Sequence, residues 1–138
     1  MDSVAASRLA GQLAAQSDNI CSHVASRLLR AFPELTQSLR LEENYQPMAR
    51  LRSVAVDRLN ELVRSVLLFE QLSLADSEFR WAHAVLPRSG VTYEHQSAMV
   101  RWYFDEVRRL PLGQSELSVV RELEQHFLGQ VRQAYAEQ

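Results

Sequence analysis

The sequence predicts an all-α bundle of six to eight helices, and three observations predict it. Apolar residues recur every three to four positions over long spans. No segment keeps the period-2 alternation of a half-buried strand. The four prolines and two of the four glycines, Gly90 and Gly113, fall at the ends of the periodic spans or between them, and they are too few for the turns of a β-sandwich of this length. Proline is tolerated in a helix's first turn and disrupts its interior, while glycine is favoured just past a helix end.

Between these marks, helices are expected over about 3–31, 33–41, 47–72, 76–87, 91–110 and 114–136. The first span carries the cap-like cluster Ser17-Asp18-Asn19, which predicts a break into two helices. The second opens at Pro33 and the third at Pro47. In the third, at about 100° per residue, Met48, Leu51, Ala55, Leu59, Leu62, Val66 and Phe69 share one face. Val56, Val63 and Leu67 widen that face on one side, and Val54 and Leu72 on the other. An apolar arc of more than half the circumference predicts a helix surrounded by its neighbours. Arg52 and Arg58 intrude near the arc. They read as snorkelling side chains or buried ion pairs, with contact to a ligand as the functional alternative.

In the fourth span His83 lies about 40° from Phe79 and about 60° from Leu86, so its ring is expected to face the core. The fifth puts Met99, Val100, Tyr103, Phe104, Val107 and Leu110 on one broad face, with Trp102 roughly 60° off its edge. Asp105 is placed to pair with Arg108 or Arg109. The last span repeats Leu117, Val120, Leu123, Phe127, Val131 and Tyr135 almost to its end. A stripe of that reach predicts helices that pack the core and also meet a second subunit. Trp102, Phe104, Phe127, Val131 and Tyr135 are the candidates for that contact.

Composition bounds the function. The chain has 138 residues, enough for one domain over 1–138 with its own core. Hydrophobic residues at 46 % and charged residues at 23 % fit a globular protein. A net charge of −2, with arginines spread among acids, gives no footprint for nucleic acid. No apolar run approaches the roughly 20 residues that span a bilayer, and Met1-Asp2-Ser3 does not begin a signal peptide. A single cysteine forms no internal disulfide, which points to a reducing, cytoplasmic setting. All fifteen basic residues are arginine. That bias reflects either nucleotide composition or a set of Arg–carboxylate clamps.

No catalytic pattern emerges. There is no glycine-rich phosphate loop, no H-E-x-x-H and no paired-cysteine zinc spacing. Cys21 and His23, two apart on a helix, point about 200° from one another and form no dyad. Cys21 reads as a small buried hydrophobe. Many carboxylates are present, at positions expected to be exposed, so an enzyme is the weakest class. His23, His95 and His126 sit beside polar neighbours and are expected to be solvated. His83 is expected to be either a core histidine with one hydrogen bond or an axial ligand to a haem iron.

The element order, with Ala31-Phe32-Pro33-Glu34-Leu35 opening a short third helix and His83 a few residues before the penultimate one, resembles the globin-type fold over nearly the whole length. Sensor globins, which dimerise through their last two helices, are the nearest subgroup. The glycine that haem-binding members place soon after the histidine comes late here, in His83-Ala84-Val85-Leu86-Pro87-Arg88-Ser89-Gly90-Val91. The distal positions hold Ala25 and Val54 instead of a tyrosine or histidine. The stretches Arg88-Ser89-Gly90-Val91-Thr92 and Val100-Arg101-Trp102-Tyr103-Phe104-Asp105-Glu106-Val107 resemble the haem-free N-terminal domains of RsbR-type stress-signalling proteins. Phycobiliproteins share the fold, but Cys21 lies away from their usual bilin attachment setting.

That resemblance implies a haem-free sensory or interaction domain, without catalytic activity. It would form a homodimer through its last two helices and relay a stress signal to a C-terminal or docked regulatory partner, with no part played by nucleic acid or membrane. Val54, Arg58 and His83 are the residues expected around a ligand pocket. The alternative is a haem-binding gas sensor or carrier with His83 on the iron. A helical adaptor with no ligand is a third reading.

Overall fold

The structure, a computed structural model, describes residues 1–38, 46–85 and 90–136, with the backbone alone at 37–38 and 81–85. It is all-helical, with no strand among the described residues. In order these are α1 (Ser3–Ala15), α2 (Ser17–Ala31), α3 (Leu35–Ser38), α4 (Pro47–Leu51), a π-helical turn (Arg52–Val56), α5 (Asp57–Phe69), α6 (Leu74–Val85), α7 (Tyr93–Val107) and α8 (Gln114–Ala136). The ends of two predicted spans, at 39–41 and 86–87, lie outside the described residues.

Helix ends follow from capping chemistry. The Asp2 carboxylate accepts from the Val4 and Ala5 amides at 3.0 Å each and starts α1. Thr92 starts α7: its hydroxyl accepts from the His95 amide, while the His95 ring accepts from the Thr92 amide. The first span breaks as predicted, at Gln16. Ser17 caps nothing, however. Its hydroxyl accepts from the Asn60 amide at 3.0 Å, tying the break to α5. Helix α5 ends at Glu70, which adopts a left-handed conformation (φ 52°). Gln71 N–H then returns to the Val66 carbonyl, and Glu70 Oε1 accepts from Ser3 Oγ at 2.7 Å.

Helix α7 lies against both α2 and α8, α1 against α5, and α6 against α8. The bulkiest fully buried side chains gather where α7 meets α8. Tyr103, Phe104 and Phe127 are fully buried there and pack edge-to-face, with ring centroids 5.2 Å apart for Tyr103–Phe104 and 5.9 Å for Phe104–Phe127. Phe79 of α6 adds a further edge-to-face contact to Phe127 at 5.6 Å.

Two expectations need correction. Phe104, Phe127 and Val131 are 0 % exposed and consumed by the chain's own core, so they offer no surface to a second subunit. The outward face of α8 instead carries Ser118, Arg121, Gln125 and Arg132. The middle helix is not wholly surrounded either. Leu59, Val63, Val66 and Leu67 are buried, but Arg58, Glu61, Leu68 and Phe69 face solvent. Its buried face is narrower than a single α-helical period through residues 48–72 predicts, because the period changes at Arg52–Val56.

Candidate functional site

That change of period builds the most unusual part of the molecule. Asp57 N–H bonds the Arg52 carbonyl, an i→i+5 link that widens the turn by one residue. In a plain α-helix Leu51 and Val56 would lie about 140° apart. Here both are buried. The same widening sets Arg52 beside Asp57, with Nε 3.0 Å from Oδ1. The Arg52 guanidinium also reaches α2, donating from Nη2 to Asp18 Oδ1 at 3.0 Å and from Nη1 to Ser22 Oγ at 3.2 Å. These contacts, led by Asp18, hold the guanidinium's pKa above its usual range. On the inner side Cys21 is 0 % exposed, its thiol directed at the Val56 carbonyl. Burial, with a smaller effect from the Asp57 charge, pushes that thiol up to about 12. Cys21 is thus the inert, buried hydrophobe expected from the sequence.

Beside the π turn is a small apolar cavity of about 30 Å³. Leu28, Leu51, Val54, Ala55, His95, Gln96 and Met99 are among the residues lining it. The two polar wall residues are engaged elsewhere. His95 Nδ1 accepts from Thr92 N–H at 3.1 Å, which places the ring proton on Nε2, 2.9 Å from Glu34 Oε1. The hydrogen bond from His95 holds the Glu34 carboxyl below its ordinary range. Gln96 Nε2 donates to Tyr135 Oη at 2.9 Å, and Tyr135 Oη donates to the Val91 carbonyl at 3.1 Å. The cavity wall on α7 is therefore bonded directly to the last full turn of α8.

An aromatic edge flanks this region. Phe32 stands edge-on to His95 at 4.8 Å and stacks with Trp102 at 5.8 Å. Arg27 caps the outer Trp102 face at 4.3 Å and reaches Asp105 at 3.6 Å. Asp105 also pairs with Arg108, as the spacing predicts, whereas Arg109 pairs with Glu106.

The predicted pocket residues separate. Val54 is half-buried and lines the apolar cavity. Arg58 is exposed and donates to Glu78 of α6, beside a different, open groove with Asp57, Glu61 and Ser65. The His83 side chain lies outside the described residues. Of the predicted subunit-contact residues, only Trp102 and Tyr135 keep partial exposure, and Tyr135 is pinned by Gln96. His95 was missed. It is 5 % exposed, not solvated, and the Thr92-x-x-His95 spacing before an apolar run was the available signal. His126 is half-buried, its Nε2 3.2 Å from Asp76 on α6, while His23 is exposed as expected.

The cavity's volume is about tenfold below the roughly 300–1,000 Å³ of small-molecule pockets. Among the described residues no group of three or more His, Cys, Asp or Glu side chains is placed to hold a metal ion, and no helix is long and apolar enough to cross a membrane. Comparison with protein-family models, with curated proteins and with solved structures finds no match.

Proposed function

We propose that this chain is a haem-free, globin-like sensory or interaction module that forms a homodimer through the exposed side of α7 and relays a signal to a C-terminal or docked partner. The observation that carries the reading is the bonded path from the π-turn cavity through Gln96 to Tyr135. A ligand or partner that repacks Val54, Ala55 and Met99 displaces the first turns of α7, and the Gln96–Tyr135 bond passes that displacement to the end of α8. A π turn suits such a place, since its extra residue gives the helix a second packing arrangement within reach. The subunit contact rests on the partly exposed side of α7 around Trp102, because the α8 stripe is spent on the core.

Sedimentation velocity at micromolar concentration tests the assembly: a dimer is expected, converted to monomer by Trp102→Glu. A monomer in the unsubstituted chain overturns the dimeric reading. For the relay, Gln96→Leu is expected to uncouple amide chemical shifts at Tyr135 from a cavity-filling Ala55→Val change. Identical Tyr135 responses with and without Gln96 would remove the proposed path.

A further inference from the structure

Between α6 and α8 a groove of about 350 Å³ runs over Phe79 and Ala134, sided by Asp76, Arg80, Gln130 and Gln133. Both floor residues are buried. Asp76 and Arg80 stand four residues apart with the acid first, the spacing at which such pairs join on a helix surface. They do not join. Asp76 Oδ1 turns to His126 Nε2 at 3.2 Å, leaving most of its acceptor capacity open. Arg80 is exposed and makes no hydrogen bond or ion pair among the described residues, and the same holds for the side-chain amides of Gln130 and Gln133. The groove thus keeps a cation and an anion apart, with two unspent amides, over an apolar floor.

We infer that this groove binds a free α-amino acid. The ligand carboxylate meets the Arg80 guanidinium, whose planar fork suits a carboxylate. The ammonium meets Asp76, and the side chain crosses Phe79 within reach of the Gln130 and Gln133 amides. A simple anion would bring a like charge to Asp76, and a simple cation would do so to Arg80; a zwitterion satisfies both. The volume sits at the small end of ligand pockets. This inference does not depend on the sensory reading, and the failure of either leaves the other standing.

The test is a nuclear magnetic resonance titration of the whole chain with the common L-amino acids, one at a time at millimolar concentration. At least one is expected to shift the Arg80 Nε–H and the Gln130 and Gln133 side-chain amide resonances. Arg80→Gln and Asp76→Asn are each expected to weaken that binding by about tenfold or more, the loss of one charge-assisted contact, with the melting curve unchanged in Arg80→Gln. Propionate and propylamine, which carry one charge each, are expected to bind at least about tenfold more weakly. The inference is overturned if no amino acid moves those resonances, if propionate moves them as well as any amino acid does, or if Asp76→Asn leaves the affinity unchanged.

Discussion

Where α7 lies on α8, rings close the interior: Tyr103, Phe104 and Phe127 are fully buried and meet edge to face. Beside the π turn, half-buried Val54 and Ala55, with Met99 of α7, line a cavity, and the fit is held by polar bonds from Arg52 and His95 at its margins. The first region follows one helical period and packs to completion. The second carries one residue too many for that period, so its apolar surfaces do not interlock. Directional contacts replace them, and such contacts have alternatives where a packed ring has none. The region suited to change is the one that the core leaves unfinished.

The sharpest way to break this comparison is to truncate one side chain on each side. Phe127→Ala is expected to cost about 3–5 kcal/mol, since it opens a cavity under Phe79 and Phe104. Val54→Ala, beside space already open, is expected to cost under about 1 kcal/mol. Urea denaturation of the two variants decides the matter, and equal losses would show that the two regions pack alike.

Alkaline pH probes the inner wall of the π turn. The Cys21 thiol ionises at about 12 in the folded chain, against 9.0 for the ordinary thiol. The folded value is the raised one, so this stabilisation is complete below pH 9 and is lost as pH climbs toward 12. The loss approaches about 1.4 kcal/mol per pH unit across that window. Buried Tyr103, also raised by desolvation, adds a loss of the same sign at higher pH. The thiol's share is the difference between the parent chain and Cys21→Ala, denatured at several pH values from 8 to 11. A difference that stays constant with pH would contradict the buried thiol.

Between the two regions runs a buried polar chain. Tyr103 Oη donates to Asn60 Oδ1 at 2.6 Å, and Asn60 Nδ2 donates to Ser17 Oγ. Tyr103→Phe leaves the Asn60 carbonyl without its donor and is expected to cost about 1–3 kcal/mol. Asn60→Leu strands the buried Tyr103 hydroxyl, and is expected to cost more alone than it does in a Tyr103→Phe background, where that hydroxyl is gone. A double-mutant cycle in urea reads the coupling.

Much of the fold was legible because it obeys the simplest rule. Pro47, Gly90 and Gly113 mark ends, and Val120, Leu123, Phe127 and Val131 keep a 3.6-residue period that the structure buries. The junction was less legible for physical reasons. Nothing in Arg52-Ser53-Val54-Ala55-Val56 announces a π turn, since its cause is tertiary: Leu51 and Val56 both need the interior, and Arg52 needs Asp18. The inward turn of Phe104 and Phe127 was readable, but the number of neighbours available to cover them was not, so a stripe filled within one chain was assigned to two. His95 was misplaced because polar neighbours in sequence say little about a ring folded back onto its own helix start.

The smallest expected effect lies on the outer edge of the junction, where Arg27 covers Trp102. Arg27→Ala removes one exposed cation–π contact and a long ion pair to Asp105, so the expected cost is about 0.5–1 kcal/mol. Stability alone barely separates that from an ordinary surface change. Trp102 emission does, because the guanidinium shields the outer indole face from water while Phe32 covers the other. Arg27→Ala is expected to red-shift that emission in a Trp81→Phe background and to raise iodide quenching. Arg27→Lys is expected to restore the charge but only part of the shielding, because an ammonium cannot lie flat on the ring. If Lys and Arg protect the indole equally, charge alone holds this edge closed, and the contrast with the ring-packed side extends all the way to the surface.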